Sequence, residues 1–313
     1  MPKDTPNAAY YTKVCDGGLG VFQYKVQVPA LRKGCLERLK EGSDTRAARI
    51  AEALLRGSPP QTSKELRKEA CEHQKAMLYA SADGRGLSGA DVSPPTHSWV
   101  DDGTRLMRGS TYISAIKTRL GVANTKMRAS KGRPDADVAC DLGCGRPESL
   151  GHVLQMCPVL APERTKRHDN VLSLLCKHLE KRKKSILREP SIRTSAGVRK
   201  PDVVVWDDIQ SVVLDVQVVS DNAAGDALAR AHGLKKSYYD VGDIRDWVRE
   251  RTGHPPVFAT LTINWRGMMG YPSYMALKSL GLTKADLRLL TVRSLEGSVS
   301  VLRAHRDLGG WGR

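Results

Sequence analysis

Two apolar segments joined by a short polar turn constrain the fold of this chain more than any other feature. Residues 200–206 and 211–220 are rich in β-branched side chains, and residues 207–210 separate them. This pattern predicts an antiparallel β-hairpin. With the hairpin centred between Asp208 and Ile209, Asp202 lies directly opposite Asp215. Directly opposed residues share one face of a sheet, with Cβ atoms roughly 5 Å apart.

The opposed pair of Asp202 and Asp215 predicts a cation site. Like charges at such positions repel each other, so a fold tolerates them best when a cation bridges them. Two carboxylates with spare oxygens suit Mg²⁺, which keeps waters and phosphate oxygens as its other ligands. The alternative is two unrelated aspartates on an exposed face. Both strands are too apolar for one face to be freely solvated, which favours the Mg²⁺ site.

The run Arg199-Lys200-Pro201-Asp202, followed by Asp215, resembles the PD-(D/E)xK nuclease superfamily. More narrowly, it resembles the restriction-like endonuclease of site-specific non-LTR retrotransposons that insert into large-subunit ribosomal RNA genes. The resemblance implies an α/β fold with a PD-(D/E)xK restriction-like core, preceded by a helical linker region and a small zinc element. It also implies that Asp202 and Asp215 hold a catalytic magnesium, with Arg199 and Lys200 beside the DNA.

The last superfamily motif usually reads Asp/Glu-x-Lys, whereas this chain reads Asp215-Val216-Gln217. In the retrotransposon branch the lysine lies instead on the following helix, in a K-x-x-Y-type segment. Here that segment offers two candidates, Lys235 and Lys236. A lysine held over a metal site can orient the attacking water and offset the developing charge of the phosphate.

Helical periodicity favours Lys235 over Lys236 as the catalytic lysine, although both remain candidates. Three residues could cap the helix at its start: Ser220, Asp221 and Asn222. Leu228, Ala231 and Lys235 then lie on one stripe, which would pack against the sheet. Lys236 lies on the neighbouring face, where DNA binding is its expected role.

A second motif lies upstream, where three cysteines and a histidine fall within eighteen residues. The four are Cys140, Cys144, His152 and Cys157. Their number and spacing suit tetrahedral Zn²⁺, and a full set of four protein ligands indicates a structural site. The set resembles the CCHC element that precedes the endonuclease in the same retrotransposon proteins. The alternative is three buried thiols and a surface histidine.

The charge of the chain indicates a nucleic-acid partner. The net charge is +16 and the sequence pI is about 9.6, while only 5% of residues are aromatic. Contacts with phosphates are therefore expected more than base stacking. The expected partners are target DNA, in ribosomal genes by the resemblance, and the element's own RNA. A basic run at residues 177–188 reads as a solvated helix face or as a nuclear localisation signal, and we expect a nuclear protein.

The remaining cysteines indicate a reducing, intracellular compartment. The chain has seven cysteines, an odd number that argues against a disulfide framework. It has no apolar run of about 18 residues, so no transmembrane span is expected, and no membrane partner.

The resemblance covers essentially the whole chain and implies four segments. Residues 1–137 form a helical thumb or linker, 138–158 the zinc element, 159–306 the endonuclease and 307–313 a flexible tail. The expected function is a Mg²⁺-dependent DNA endonuclease that nicks its target for target-primed reverse transcription. The parent polyprotein would also be an RNA-directed DNA polymerase, but no polymerase palm is recognised in this sequence. Two alternatives remain, a binding module with an inactive nuclease fold and a junction-resolving nuclease of the same superfamily.

Overall fold

The computed structural model describes residues 1–221 and 227–310 of the 313-residue chain. Asn222, one of the three predicted helix caps, lies outside these ranges, as do the last three residues of the predicted tail. The described residues form a mixed α/β structure in which helices surround a small sheet. This agrees with the α/β class expected from the sequence.

The first part of the chain is helical. Its helices are α1 (Asn7–Tyr11), α2 (Tyr24–Lys40), α3 (Thr45–Leu55), α4 (Ser63–Ala80), α5 (Trp99–Asp102), α6 (Gly109–Arg119) and α7 (Lys126–Ala129). Helix α4 begins with a capping box, in which Thr62 and Glu65 satisfy each other's backbone N–H groups. Asp101 and Asp102 lie within short α5, and Asp102 pairs with Arg288 of the last helix.

The second part alternates strands and helices. Its elements are α8 (Ala161–Glu180), β1 (Ser185–Arg188), β2 (Ile192–Thr194), β3 (Gly197–Arg199), β4 (Val203–Trp206), β5 (Ser211–Val219), α9 (Ala227–Tyr239), α10 (Gly242–Thr252), β6 (Pro256–Asn264), α11 (Tyr271–Ser279) and α12 (Lys284–Leu308). Helix α12 continues through Leu308, so the first two residues of the predicted tail are helical.

Four strands within the described ranges form the main sheet, in the order β1-β4-β5-β6. The pairs β1–β4 and β4–β5 are antiparallel, whereas β5 and β6 are parallel neighbours. Parallel neighbours need a long crossover, which α9 and α10 supply here. Strands β2 and β3 form a separate two-stranded hairpin.

Helices cover both faces of the sheet. On one face, buried residues of α8, α11 and α12 pack against the side chains of Val203, Val205, Val212 and Leu214. On the other face, Val204 and Val213 pack with residues of α9, α10 and the β2–β3 hairpin. Alternate residues of a strand point to opposite faces, so both faces of this hairpin are apolar and buried.

The N-terminal helices share a hydrophobic core with the second part of the chain. Buried side chains from α1, α4, α5 and α6 contact Met268 after β6 and three residues of α12: Val292, Leu295 and Val299. None of the helices among the described residues has the length and apolar character needed to cross a membrane.

Candidate active site and metal centres

The β4–β5 hairpin has the register that the sequence predicts. Its pairs run from Val203 opposite Leu214 to Trp206 opposite Ser211. Continued by one position, this register sets Asp202 opposite Asp215. Asp202 immediately precedes β4, while Asp215 lies within β5 and is only 3% exposed.

One oxygen of Asp202 is held by two groups. The backbone N–H of Val216 donates to Asp202 Oδ2 at 2.6 Å, and His168 Nε2 lies 3.2 Å from the same oxygen. This contact with Asp202 raises the pKa of His168 to about 9. Asp202 Oδ1 makes no hydrogen bond with any residue in the described ranges, so one carboxylate oxygen is left for another ligand.

The two carboxylate oxygens of Asp215 also differ in their contacts. Its Oδ1 lies 3.2 Å from Lys235 Nζ, while Oδ2 is buried and lacks a hydrogen-bond partner among the described residues. Burial raises the pKa of Asp215, nearby Asp202 raises it further, and Lys235 opposes both effects. A buried polar atom without a partner costs about 1–3 kcal/mol, and a charged one costs more. The orphaned oxygen therefore marks a place where a cation would stabilise the fold.

The donor chemistry of this pair fits a hard divalent cation. Each carboxylate has one oxygen engaged by the protein and one oxygen without a hydrogen-bond donor among the residues that the structure describes. Oxygen ligands of this kind suit Mg²⁺, which binds through one or two carboxylates and retains several waters. A cation there would also relieve the repulsion between the two aspartates, which contributes to the raised pKa of Asp215.

Helix α9 brings one of the two candidate lysines to this pair. The helix runs unbroken through Gly233, so its register is the one assumed from the sequence. Lys235 contacts Asp215, and its ammonium lies 5.7 Å from the centre of the Tyr239 ring. Lys236 is exposed and does not line the cavity beside the aspartates. Lys235 therefore lies at the paired aspartates, whereas Lys236 does not.

Gln217 lies two residues after Asp215, where the Asp/Glu-x-Lys pattern that the sequence resembles would have a lysine. Its Nε2 donates to the carbonyl of Ala231 at 3.1 Å and lies 2.8 Å from Thr262 Oγ1. Ala231 is one helical turn before Lys235, so Gln217 joins β5 to the helix that carries the lysine. The sequence indicated only that the lysine was displaced, and the role of Gln217 depends on tertiary packing.

An open cavity of about 520 Å³ lies beside the aspartates. Besides Asp202 and Asp215, it is lined by five basic residues and one tyrosine: Arg164, Arg167, His168, Lys200, Lys235 and Tyr239. This arrangement places positive charge around two carboxylates, as a phosphodiester substrate would require.

His168 was not predicted from the sequence as a site residue. A signal was available, because His168 lies one turn before Val171 and Leu172 on the buried stripe of α8. Two other carboxylates near α8 and β1, Glu180 and Glu189, do not line the cavity. Glu180 lies twelve residues after His168 on the same helix, about 18 Å away along its axis at 1.5 Å per residue. Glu189 is exposed, and its backbone N–H donates to the carbonyl of Asp202.

The two basic residues expected at the DNA differ in their surroundings. Arg199 stacks over the ring of Tyr238, 4.5 Å from its centre, and donates to the Tyr238 carbonyl. Lys200 is exposed and lines the cavity. Arg199 therefore joins β3 to α9, whereas the side chain of Lys200 is available to a ligand in the cavity.

The four predicted zinc ligands come together. The donor atoms of Cys140, Cys144, His152 and Cys157 all lie within 4.8 Å of one another, a spacing at which they could hold a zinc ion. Burial lowers the pKa of His152, which favours the neutral imidazole that metals bind. A hydrogen bond from the backbone of Arg146 lowers the pKa of the Cys144 thiol and favours its thiolate.

Local backbone geometry explains why these ligands converge. Gly143 and Gly145 adopt left-handed φ values of 67° and 73°, which let the chain turn tightly on either side of Cys144. A single π-helical turn spans His152–Met156, and the N–H of Cys157 donates to the carbonyl of His152. The turn brings His152 and Cys157 to the same side.

The zinc element is tied to the rest of the molecule. His305 of α12 lies 3.6 Å from Cys140 Sγ and 3.6 Å from a buried oxygen of Glu148. Gln155 donates to the Val218 carbonyl of β5 at 2.8 Å and accepts from Arg167 at 2.6 Å. Strand β5 therefore connects the candidate zinc centre with the paired aspartates.

Some residues of the basic run at 177–188 form ion pairs or hydrogen bonds within the protein. Arg182 pairs with Asp286, Lys184 pairs with Asp207, and Arg188 donates to Ser173. Three lysines of the run have no side-chain partner among the described residues: Lys177, Lys181 and Lys183.

Comparison with known proteins identifies relatives along the whole chain. It is 30% identical over 325 residues to the Retrovirus-related Pol polyprotein from type-2 retrotransposable element R2DM of Drosophila melanogaster, covering 100% of this chain and 30% of that protein. It is 30% identical over 305 residues to a type-1 R2 Pol polyprotein of Nasonia vitripennis, covering 95% of this chain and 29% of the relative. A Popillia japonica R2 Pol polyprotein is 28% identical over 333 residues and is 67% covered.

The chain thus spans about 30% of the length of the first two relatives. No protein-family model matches the chain.

Proposed function

Because this chain belongs with the Pol polyproteins of R2 retrotransposable elements, which are site-specific non-LTR elements, we propose that it is a Mg²⁺-dependent DNA endonuclease. In this proposal its core is a PD-(D/E)xK restriction-like nuclease, and the chain corresponds to the C-terminal part of a longer polyprotein. The observation that carries the proposal is the pair of opposed aspartates, each with one oxygen that lacks a donor in the described part of the chain, and the lysine that contacts one of them.

Asp202 and Asp215 would hold the magnesium. When bound, Mg²⁺ would neutralise the scissile phosphate and lower the pKa of a coordinated water. The Lys235 ammonium offsets negative charge that develops on the phosphate, and it orients the attacking water by hydrogen bonding. Gln217 keeps Lys235 in place through the backbone of α9. Arg164 and Lys200 supply further positive charge at the cavity for the DNA backbone.

The zinc element and the basic surface hold nucleic acid against this site in the proposed function. The partners are target DNA, in ribosomal RNA genes, and the RNA of the element. The nick provides a 3′ end for target-primed reverse transcription, and the polymerase activity belongs to the parent polyprotein. We also propose a nuclear location, with Lys177, Lys181 and Lys183 as the part of the basic run available to an import receptor.

Nicking of a supercoiled plasmid tests the proposal. The purified chain should convert a plasmid that carries ribosomal DNA to the open circular form in Mg²⁺ but not in chelator. A plasmid without the ribosomal insert should be nicked more slowly. DNA binding without metal-dependent nicking would instead support the inactive binding module. Equal cleavage of both plasmids, with preference for four-way junctions, would support the junction-resolving nuclease.

A further inference from the structure

Helix α8 brings a third polar side chain to the paired aspartates. His168 Nε2 lies 3.2 Å from Asp202 Oδ2, and His168 Nδ1 lies 3.1 Å from Asp169 Oδ1. The side chain of His168 is 30% exposed, and it lines the same cavity as Asp215 and Lys235. Because α8 covers the face of the sheet opposite to α9, the carboxylates are approached by His168 from one side and by Lys235 from the other.

Two donors converge on one oxygen of Asp202. The Val216 N–H and the His168 imidazole both contact Oδ2, which fixes the rotation of the carboxylate about its Cβ–Cγ bond. The other oxygen, Oδ1, then has a defined position and no donor among the described residues. Hydrogen bonds that the protein donates to a metal-binding residue orient that residue. Their loss typically costs 10–100-fold in metal affinity or activity.

We infer that His168 is a positioning residue, which donates to Asp202 Oδ2 and so leaves Asp202 Oδ1 as a ligand for a divalent cation. This inference rests on the proposed function, since it assigns a role at the same site. A purely structural role would be to extend the apolar stripe of α8, on which Val171 and Leu172 follow one turn later. A structural role requires only an apolar side chain at position 168, whereas a positioning role requires an N–H donor there.

Two substitutions separate these roles. His168→Leu keeps an apolar side chain on the α8 stripe but loses the donor. His168→Gln keeps an N–H donor at about the reach of Nε2. Metal affinity is measured by isothermal titration of the zinc-loaded full chain with Mn²⁺ as the probe, without DNA. Asp202→Ala gives the affinity that remains when the site is lost, and His73→Leu, at an exposed histidine of α4, is the matched control.

The expected result is a 10–100-fold weaker Mn²⁺ affinity in His168→Leu. His168→Gln and His73→Leu should stay close to wild type. Should His168→Leu fail to fold in a thermal scan, His168→Asn replaces it, because its shorter amide cannot reach Asp202 Oδ2. In that comparison His168→Asn should bind weakly while His168→Gln binds tightly.

Three outcomes would overturn the inference: wild-type affinity in the donor-free variant, equally weak affinity in His168→Gln, or a wild-type protein that binds Mn²⁺ no better than Asp202→Ala. Failure of the proposed function is distinguishable from these. In that case Mn²⁺ affinity depends on His168 as expected, but the wild-type protein nicks no DNA.

Discussion

At the scale of single residues, Lys235 and Lys236 are adjacent in the chain but differ in their surroundings. Lys235 contacts buried Asp215, whereas Lys236 is exposed on the neighbouring face of α9. Lys235→Ala should therefore lower the single-turnover cleavage rate on the order of 10²-fold, as loss of a preorganised electrostatic group does. Lys236→Ala should mainly weaken DNA affinity and reduce its salt dependence by about one phosphate contact.

The measurement for the two lysines is single-turnover cleavage at saturating DNA, so that losses of binding are not mistaken for losses of catalysis. A large rate loss in Lys236→Ala, with little change in Lys235→Ala, would show that the exposed lysine acts. An unchanged rate in both variants would remove lysine from the mechanism.

Some residues of the site could be predicted from the sequence and others could not. The Asp202–Asp215 register follows from strand alternation and the length of the turn, which are both local. The convergence of the zinc ligands follows from their spacing over eighteen residues. His168 and Gln217 were missed, because their contacts depend on how α8 and α9 pack on the sheet.

At the scale of elements, the zinc element should depend on its metal for order. The segment packs Leu150, Val153 and Leu154 against α12, and a bound zinc would add folding free energy by holding its four ligands together. The purified chain should contain one zinc, and Cys140→Ser or His152→Ala should release it. The expected consequence is faster proteolysis around residues 138–158. Because Gln155 bonds β5 beside the aspartates, we also expect slower DNA cleavage.

Metal analysis of protein prepared without chelators provides the measurement for the zinc element. Cys35→Ser, at an exposed cysteine of α2, serves as the control and should retain zinc. Absence of zinc from the wild-type protein would refute the assignment of these four ligands.

At the scale of the whole molecule, a buried arginine joins the N-terminal helices to the sheet. Arg266 is 5% exposed and pairs with Asp221, two residues after β5 ends. It also donates to the carbonyls of Asp83 and Arg119, at 2.8 and 3.0 Å. A Cβ on Gly121 would lie 2.7 Å from the guanidinium, so this glycine allows the close approach.

Arg266→Met should lower the free energy of unfolding by about 3 kcal/mol, because Asp221, whose side chain is 13% exposed, would lose its partner while largely shielded from water. Urea unfolding measures the loss. Arg245→Met is the matched control, since the Arg245–Asp240 pair lies at the surface and should contribute about 1 kcal/mol or less. Equal stability of the two variants would show that Arg266 does not join the two regions.

In the proposed function, Asp202 and Asp215 hold the metal of a DNA-cleaving site. The most direct test is Mg²⁺-dependent plasmid nicking by Asp202→Ala and Asp215→Ala, with Asp208→Ala as control. Asp208 is an exposed aspartate in the turn of the same hairpin. Loss of one ligand should abolish nicking while DNA affinity stays nearly unchanged, because distant lysines and arginines make the phosphate contacts. Asp208→Ala should nick at the wild-type rate. Nicking at the wild-type rate by both Asp202→Ala and Asp215→Ala would contradict metal binding by these two aspartates.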